Sequence, residues 1–181
     1  EIYPRGLIKE QSVFKYRDIL CDVNRPGHFD GVTTVVNIFF EIIKPKNSYF
    51  GDKDYQQMKI ISEMVMIKKL NVNIVSCPSI RDKNGMSLSS RNSNLTPNQF
   101  KVFESLAKKT KALIENLKQK NLNINFDDYK KELLKININK IDYLDVRNEN
   151  NLEITNQINN ARLFIALFID KIRIIDNFKL Y

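Results

Sequence analysis

Residues 47–78, "NSYFGDKDYQQMKIISEMVMIKKLNVNIVSCP", constrain the fold more than any other stretch of the chain. The apolar run NSYF is stopped by Gly51. Asp54 is a candidate N-cap, and Tyr55 to Leu70 carry Met58, Ile61, Met64, Val65 and Met66 at helical spacing, a set expected to face a core. VNIVSCP then reads as a buried strand of the parallel-sheet type. Strand, helix and strand in this rhythm form a βαβ unit.

The flanking segments extend that pattern and then break it. SVFKYRDIL alternates weakly and ends at the turn signal NRPG. HFDGVTTVVNIFFEIIK predicts a helix ended by Pro45, with Val32, Val35, Val36, Phe39, Phe40, Ile42 and Ile43 as its apolar stripe. Beyond the polar loop that follows residue 78, Thr96 is an N-cap and Pro97 a first helical residue. That helix places Phe103, Leu106, Ala107, Leu113, Ile114 and Leu117 on one side. FDDYKKELLKI predicts a shorter helix, and IDYLDVRNE, ARLFIALFI and KIRIIDNFKLY predict three strands, the last two joined tightly through Asp170 and Lys171. An α/β part, residues 1–95, is therefore expected to precede an α+β part, residues 96–181.

With 181 residues, 43% of them hydrophobic, such a chain can bury a real core. Neither a run approaching the ~20 apolar residues of a membrane span nor a signal-peptide core is visible, so a soluble intracellular protein is the expectation. Cys21 and Cys77 form no CxxC pair, and His28 is the single histidine. Both cysteines read as buried, reduced thiols, and a zinc site is not expected. Lys and Arg number 29 against 21 Asp and Glu, a formal charge of +8. That balance suits an anionic ligand, but the lysines are scattered and read as a solvated basic surface rather than a nucleic-acid stripe.

Two loops carry residues that packing does not demand. In an open parallel sheet, ligands bind where strands end and helices begin. YFGDKDYQQ occupies such a corner: Gly51 permits close backbone approach, Lys53 lies in the turn, and a helix opens at Asp54, which together suit a phosphate. Asp52 and Asp54 would repel it unless they face a hydroxyl, an amine or a metal ion. The second loop, NGMSLSSRN, delivers Ser87, Ser89, Ser90 and Arg91 after the second strand. Hydroxyls and loop amides can cradle polyphosphate oxygens, and a guanidinium adds permanent charge with bidentate geometry. Alone, SLSSRNSNLTP is equally a polar linker; together with the Gly-Asp-Lys-Asp turn, it reads as the other half of a phosphate clamp.

HFDGVTTVVNIFFEIIKP, YFGDKDYQQM and VSCPSIRDKNGMSLSSRN resemble the corresponding blocks of the pantothenate synthetases, the pantoate–β-alanine ligases. The likeness is strong over about residues 1–98 and looser over DYLDVRN and ARLFIALFIDKIRIIDN. It implies a partial Rossmann-like nucleotidylyltransferase domain followed by a small α+β domain with a three-stranded antiparallel sheet. It also implies an enzyme that forms pantoyl adenylate from ATP and pantoate, releases pyrophosphate, and lets the β-alanine amine displace AMP. Mg2+ dependence, a homodimer, a cytoplasmic location and no nucleic-acid or membrane partner come with it. Residue by residue, it implies that Gly51, Asp52, Lys53 and Asp54 contact ATP and that Ile80 reaches adenine through its backbone. Leu88, Ser89, Ser90 and Arg91 would surround the phosphates. Lys53 and Arg91 would act catalytically on the developing phosphate charge, Gln57 would bind pantoate, and His28 would lie near the second-substrate site. Gln56 is expected to face outward and Met58 inward.

The family's paired-histidine ATP signature, His-x-Gly-His, and its Asn-Pro-x-Gln-Phe pantoate stretch have no counterpart here. The chain therefore looks like a C-terminal fragment lacking the first part of the Rossmann domain. By itself it is expected to show little ligase activity. Two other readings stay open: another enzyme of the nucleotidylyltransferase superfamily, which would lack Gln57 in its place, and a basic nucleic-acid-binding module.

Overall fold

The computed structural model describes residues 15–181. In chain order its elements are α1 (Cys21–Asn24), α2 (His28–Ile43), β1 (Asn47–Gly51), α3 (Tyr55–Ile67), β2 (Asn73–Cys77), α4 (Pro97–Gln119), α5 (Phe126–Leu134), β3 (Lys140–Asn148), β4 (Ala161–Ile169) and β5 (Ile172–Lys179). The chain divides into two compact units, Glu1–Pro78 and Ser79–Tyr181.

In the first unit, β1 and β2 pair in parallel, from Asn47 opposite Asn73 to Gly51 opposite Cys77, and α3 is the crossover between them. The βαβ unit expected from residues 47–78 is present. Met58, Ile60, Ile61 and Met64 form the buried side of α3, whereas Met66 is exposed, contrary to expectation. Of the two free cysteines, Cys21 is buried and Cys77 is half-buried at the end of β2.

Gln56 corrects the sequence reading: it is buried, not outward-facing. Its Oε1 accepts from the Cys21 N–H at 3.0 Å, and its Nε2 donates to the carbonyls of Tyr16 and Ile19, each at 2.9 Å. Residues 15–20 form turns, with Asp18 and Leu20 at positive φ, so their backbone groups have no ladder to join. A side-chain amide from α3 supplies both a donor and an acceptor. The earlier part of SVFKYRDIL lies outside the described residues.

Helix α2 also departs from its pattern. It starts and stops as expected, with Lys44 in the left-handed conformation just before Pro45. Its buried residues, however, are Phe29, Thr33, Thr34, Asn37 and Phe40. Val32, Val35 and Val36 are half-buried, and Phe39, Ile42 and Ile43 are exposed. Threonines can occupy the inner face because their hydroxyls are already bonded to the helix itself. Thr33 Oγ1 donates to the Phe29 carbonyl at 2.8 Å, and Thr34 Oγ1 to the Asp30 carbonyl at 2.6 Å.

The second unit is built on an antiparallel sheet of order β3-β4-β5. β4 is buried along almost its whole length, with Leu144 of β3 and Asp176 of β5 on either side of Ile165. Helices α4 and α5 supply the other layer of this core through Phe103, Leu106, Leu113, Leu117 and Leu133. Each such buried side chain contributes roughly 1.5–3 kcal/mol by leaving water. Thr96 caps α4 as expected, its hydroxyl accepting from the Gln99 N–H while the Gln99 side chain accepts from the Thr96 N–H. The division between units precedes residue 95 because the segment after Pro78 is tied to the sheet: Met86 is buried in this core, and Arg81 bonds Asp176 on β5.

Candidate active site

At the end of β1 the chain turns sharply into α3 through a single 3-10 turn, Asp52–Asp54. Gly51 has ordinary extended backbone, with φ −67 and ψ 132, so no unusual torsion demands glycine. A Cβ there would meet nothing within 4 Å, which leaves the turn's face open to a ligand. The half-buried Lys53 ammonium lies 3.4 Å from the Asp54 carboxylate, a contact at the long end for a hydrogen bond. Asp54 precedes the first residue of α3, yet its side chain makes no capping bond to the helix. The corner therefore presents an ammonium, a partly exposed carboxylate and the start of a 13-residue helix. Gln57 is half-buried in the first turn of α3, three residues from Asp54 and so on the same helix face.

His28 opens α2 behind Gly27, whose φ of +73 only glycine adopts readily. Its Nε2 lies 2.9 Å from Arg25 Nη1, so the guanidinium donates to an unprotonated ring nitrogen. The imidazole is also 5.0 Å from the Phe29 ring.

In the second unit, the serine loop grows from a small hairpin. Arg81 and Ser87 form an antiparallel bridge, and Leu88 N–H donates to the Ile80 carbonyl at 2.8 Å. Asp82 Oδ1 accepts from the N–H groups of Asn84 and Met86, and Gly85, at φ +86, completes the turn. Ile80 and Leu88 expose their side chains. Beyond the hairpin, Ser89 is half-buried, and Ser90 and Arg91 are exposed. Local bonds shape this stretch: Asn92 N–H donates to the Ser89 carbonyl, Ser93 Oγ to the Ser90 carbonyl, and Arg91 N–H to Ser89 Oγ. The Arg91 guanidinium reaches the Arg173 carbonyl only at 3.5 Å.

Ser87 departs from the expected set of phosphate-facing hydroxyls. It is buried, and its Oγ donates to Asp176 Oδ1 at 2.6 Å while its N–H donates to Asp176 Oδ2 at 2.7 Å. Arg81 binds the same carboxylate through Nη1 at 3.1 Å, donates through Nη2 to the Asn177 carbonyl at 2.8 Å, and lies over the Phe178 ring. Burial pushes the Asp176 carboxyl above the usual value, while Arg81 and the Ser87 donors act in the opposite direction. Sequence reading missed Arg81 and Asp176. An acidic residue at a core-facing position of KIRIIDNFKLY was the available signal.

Among the described residues, no group of three or more His, Cys, Asp or Glu side chains could hold a metal ion. Asp54, with about half its side chain exposed at the β1 corner, suits an ion that keeps water and phosphate oxygens as its other ligands. Among the described residues, no helix is long and apolar enough to cross a membrane.

Among known proteins, the family described as pantoate-beta-alanine ligase matches residues 1–179. Pantothenate synthetase of Caldicellulosiruptor bescii is 38% identical over 98% of this chain and 64% of its own length, and that of Clostridium acetobutylicum is 40% identical with the same coverage. This chain thus spans 64% of the length of these relatives. The crystal structure of pantothenate synthetase from Thermus thermophilus superposes with a TM-score of 0.86 at 30% identity, over 99% of this chain and 66% of that one. Pantoate-beta-alanine ligase from Francisella tularensis, complexed with beta-gamma ATP and beta-alanine, gives 0.80 at 33% identity, over 99% of this chain and 61% of that one. The chain belongs to the pantoate-beta-alanine ligase family.

Proposed function

We propose that the protein to which these residues belong joins pantoate to β-alanine at the expense of ATP. A pantoate carboxylate oxygen attacks the α-phosphorus, and the bond to the β-phosphate oxygen breaks, giving pantoyl adenylate and pyrophosphate. The β-alanine amine then attacks the acyl carbon, loses its proton and expels AMP. The observation that carries this reading is a family match over residues 1–179, a range that includes both phosphate-type loops.

The residue roles are those that the family resemblance implies, and the chemistry of the charged groups is consistent with them. Lys53 and Arg91 counter the charge that develops at the α-phosphate and on departing pyrophosphate, where fixed cations are most effective. Ser89, Ser90 and the loop amides from Leu88 orient the phosphates, Gly51 admits them, and the Ile80 backbone meets adenine. Gln57 holds pantoate by hydrogen bonds, and His28 lies toward the β-alanine site. Mg2+ bound with ATP would neutralise phosphate charge, with Asp52 or Asp54 offering it a carboxylate. The protein is proposed to work as a cytoplasmic homodimer, without nucleic-acid or membrane partners. The 181 residues by themselves are expected to form little pantothenate, since the His-x-Gly-His signature is not among them.

Pantoate-dependent exchange of labelled pyrophosphate into ATP by the full-length protein tests the adenylation half, and pantothenate formation with β-alanine tests the second half. Lys53→Ala and Arg91→Ala should each lower kcat by about 10²–10³, the scale for losing one preorganised charge-stabilising group. Arg91→Lys should recover only part of that activity, because an ammonium lacks the planar fork. Exchange supported equally well by unrelated acids would overturn the substrate assignment.

A further inference from the structure

The Ser87–Arg81–Asp176 cluster has no part in the chemistry proposed above, yet it lies immediately before the residues that do. Asp176 is 3% exposed, and both its oxygens accept: Oδ1 from Ser87 Oγ and, at 2.8 Å, from the Asn177 N–H, and Oδ2 from the Ser87 N–H and Arg81 Nη1. Arg81 also donates to the Gly85 carbonyl at 2.9 Å, closing the hairpin on itself. One carboxylate on β5 thus holds both strands of the 81–87 hairpin, and the adjacent Met86 is buried in the same core. Ser87 extends the hold forward, its carbonyl accepting from Asn92 Nδ2 at 3.2 Å across the base of the 88–91 stretch. Ser89, Ser90 and Arg91 themselves are joined mainly by local bonds.

We propose that Asp176 is a positioning residue for the phosphate-facing loop, fixing through Ser87 and Arg81 the place from which Ser89, Ser90 and Arg91 meet ATP. This deepens the reading of that loop and rests on it. Preorganisation is the physical reason: a charge-stabilising group contributes most when it need not be reoriented at the moment of reaction. Asparagine replaces the carboxylate poorly, because its NH2 would face either the Asn177 N–H or the Ser87 N–H and Arg81, donors that cannot accept from it, and only the Ser87 hydroxyl could turn to do so.

The test uses the full-length protein and pantoate-dependent pyrophosphate exchange. Asp176→Asn should lower kcat/KM for ATP at least tenfold and leave KM for β-alanine, read from pantothenate formation, unchanged. In hydrogen exchange, the amides of Leu88 to Asn92 should lose protection while those of β4 keep theirs. In an Arg91→Ala background, the effect of Asp176→Asn should shrink, since a residue acting through the loop has less to position there. An Asp176→Asn protein that folds with unaltered kcat/KM for ATP, or whose loss is undiminished beside Arg91→Ala, overturns the proposal. Should Asp176→Asn fail to fold, Ser87→Ala carries the test: it removes the hydroxyl bond alone and should give a smaller loss of the same kind, and no loss would be equally fatal. If Arg91→Ala by itself leaves exchange intact, the underlying reading of the loop has failed, and the positioning proposal falls with it.

Discussion

Gly51 and Gln56 lie five residues apart, and each separates a requirement of folding from one of binding. Alanine at position 51 would adopt φ −67 and ψ 132 without strain and would touch nothing within 4 Å. Gly51→Ala should therefore change stability by no more than about 0.5 kcal/mol in urea denaturation. If the open face of this turn meets ATP, the same variant should raise KM for ATP several-fold; a larger stability loss with unchanged KM would make the glycine structural. Gln56→Ala should do the reverse, costing about 2–3 kcal/mol by removing a buried amide that bonds the Cys21 N–H and the Tyr16 and Ile19 carbonyls. If Gln57 meets pantoate as proposed, Gln57→Ala should cost much less stability and raise KM for pantoate. Sequence periodicity identified the helix carrying both glutamines but put Gln56 on the wrong side. Its partners lie more than thirty residues earlier in a turn that no local pattern announces.

At the scale of elements, the sequence was legible wherever one local rule decided the outcome. Thr96 and Pro97 begin α4, Pro45 follows the end of α2, and Asp170-Lys171 joins β4 to β5. It was less legible for the buried face of α2, where self-bonded threonines displace isoleucines, and for Ser87, whose acceptor lies on β5. The packing of α5 against α4 carries a pH signature. Tyr129 on α5 points its hydroxyl at Thr110 Oγ1 of α4, 3.5 Å away, and burial pushes its pKa from 10.0 up to about 12, the Thr110 bond acting weakly the other way. A raised folded-state value means that the folded protein binds the phenolic proton more tightly than the unfolded chain. The stabilisation is complete below pH 10 and is lost as pH rises toward 12. Urea midpoints measured across that range should fall for the parent protein and fall less for Tyr129→Phe. Parallel decline in both would assign the alkaline sensitivity to other groups.

For the molecule as a whole, the two units differ in how much of their apolar surface is covered. The second has a continuous core running through β4, and its sheet has three strands. Among the described residues, the first has a two-stranded parallel sheet with helices, and Phe39, Ile42, Ile43, Tyr49, Met66 and Ile67 are exposed. Two strands gain little stability without further strands or a well-packed helical layer, and local opening follows local burial. In hydrogen exchange on the 181-residue chain, peptides from residues 47–51 and 73–77 should therefore exchange faster than those from residues 161–169. Where exposed apolar side chains adjoin, as Ile42 and Ile43 do at the end of α2 and Met66 and Ile67 at the end of α3, they give the chain a reason to associate. If a second copy covers α2, protection across residues 35–43 should rise with protein concentration, in step with a larger mass by light scattering. If protection stays equal in both sheets and independent of concentration, the small first-unit sheet would have to be stable without any covering surface, contrary to what its exposed residues imply.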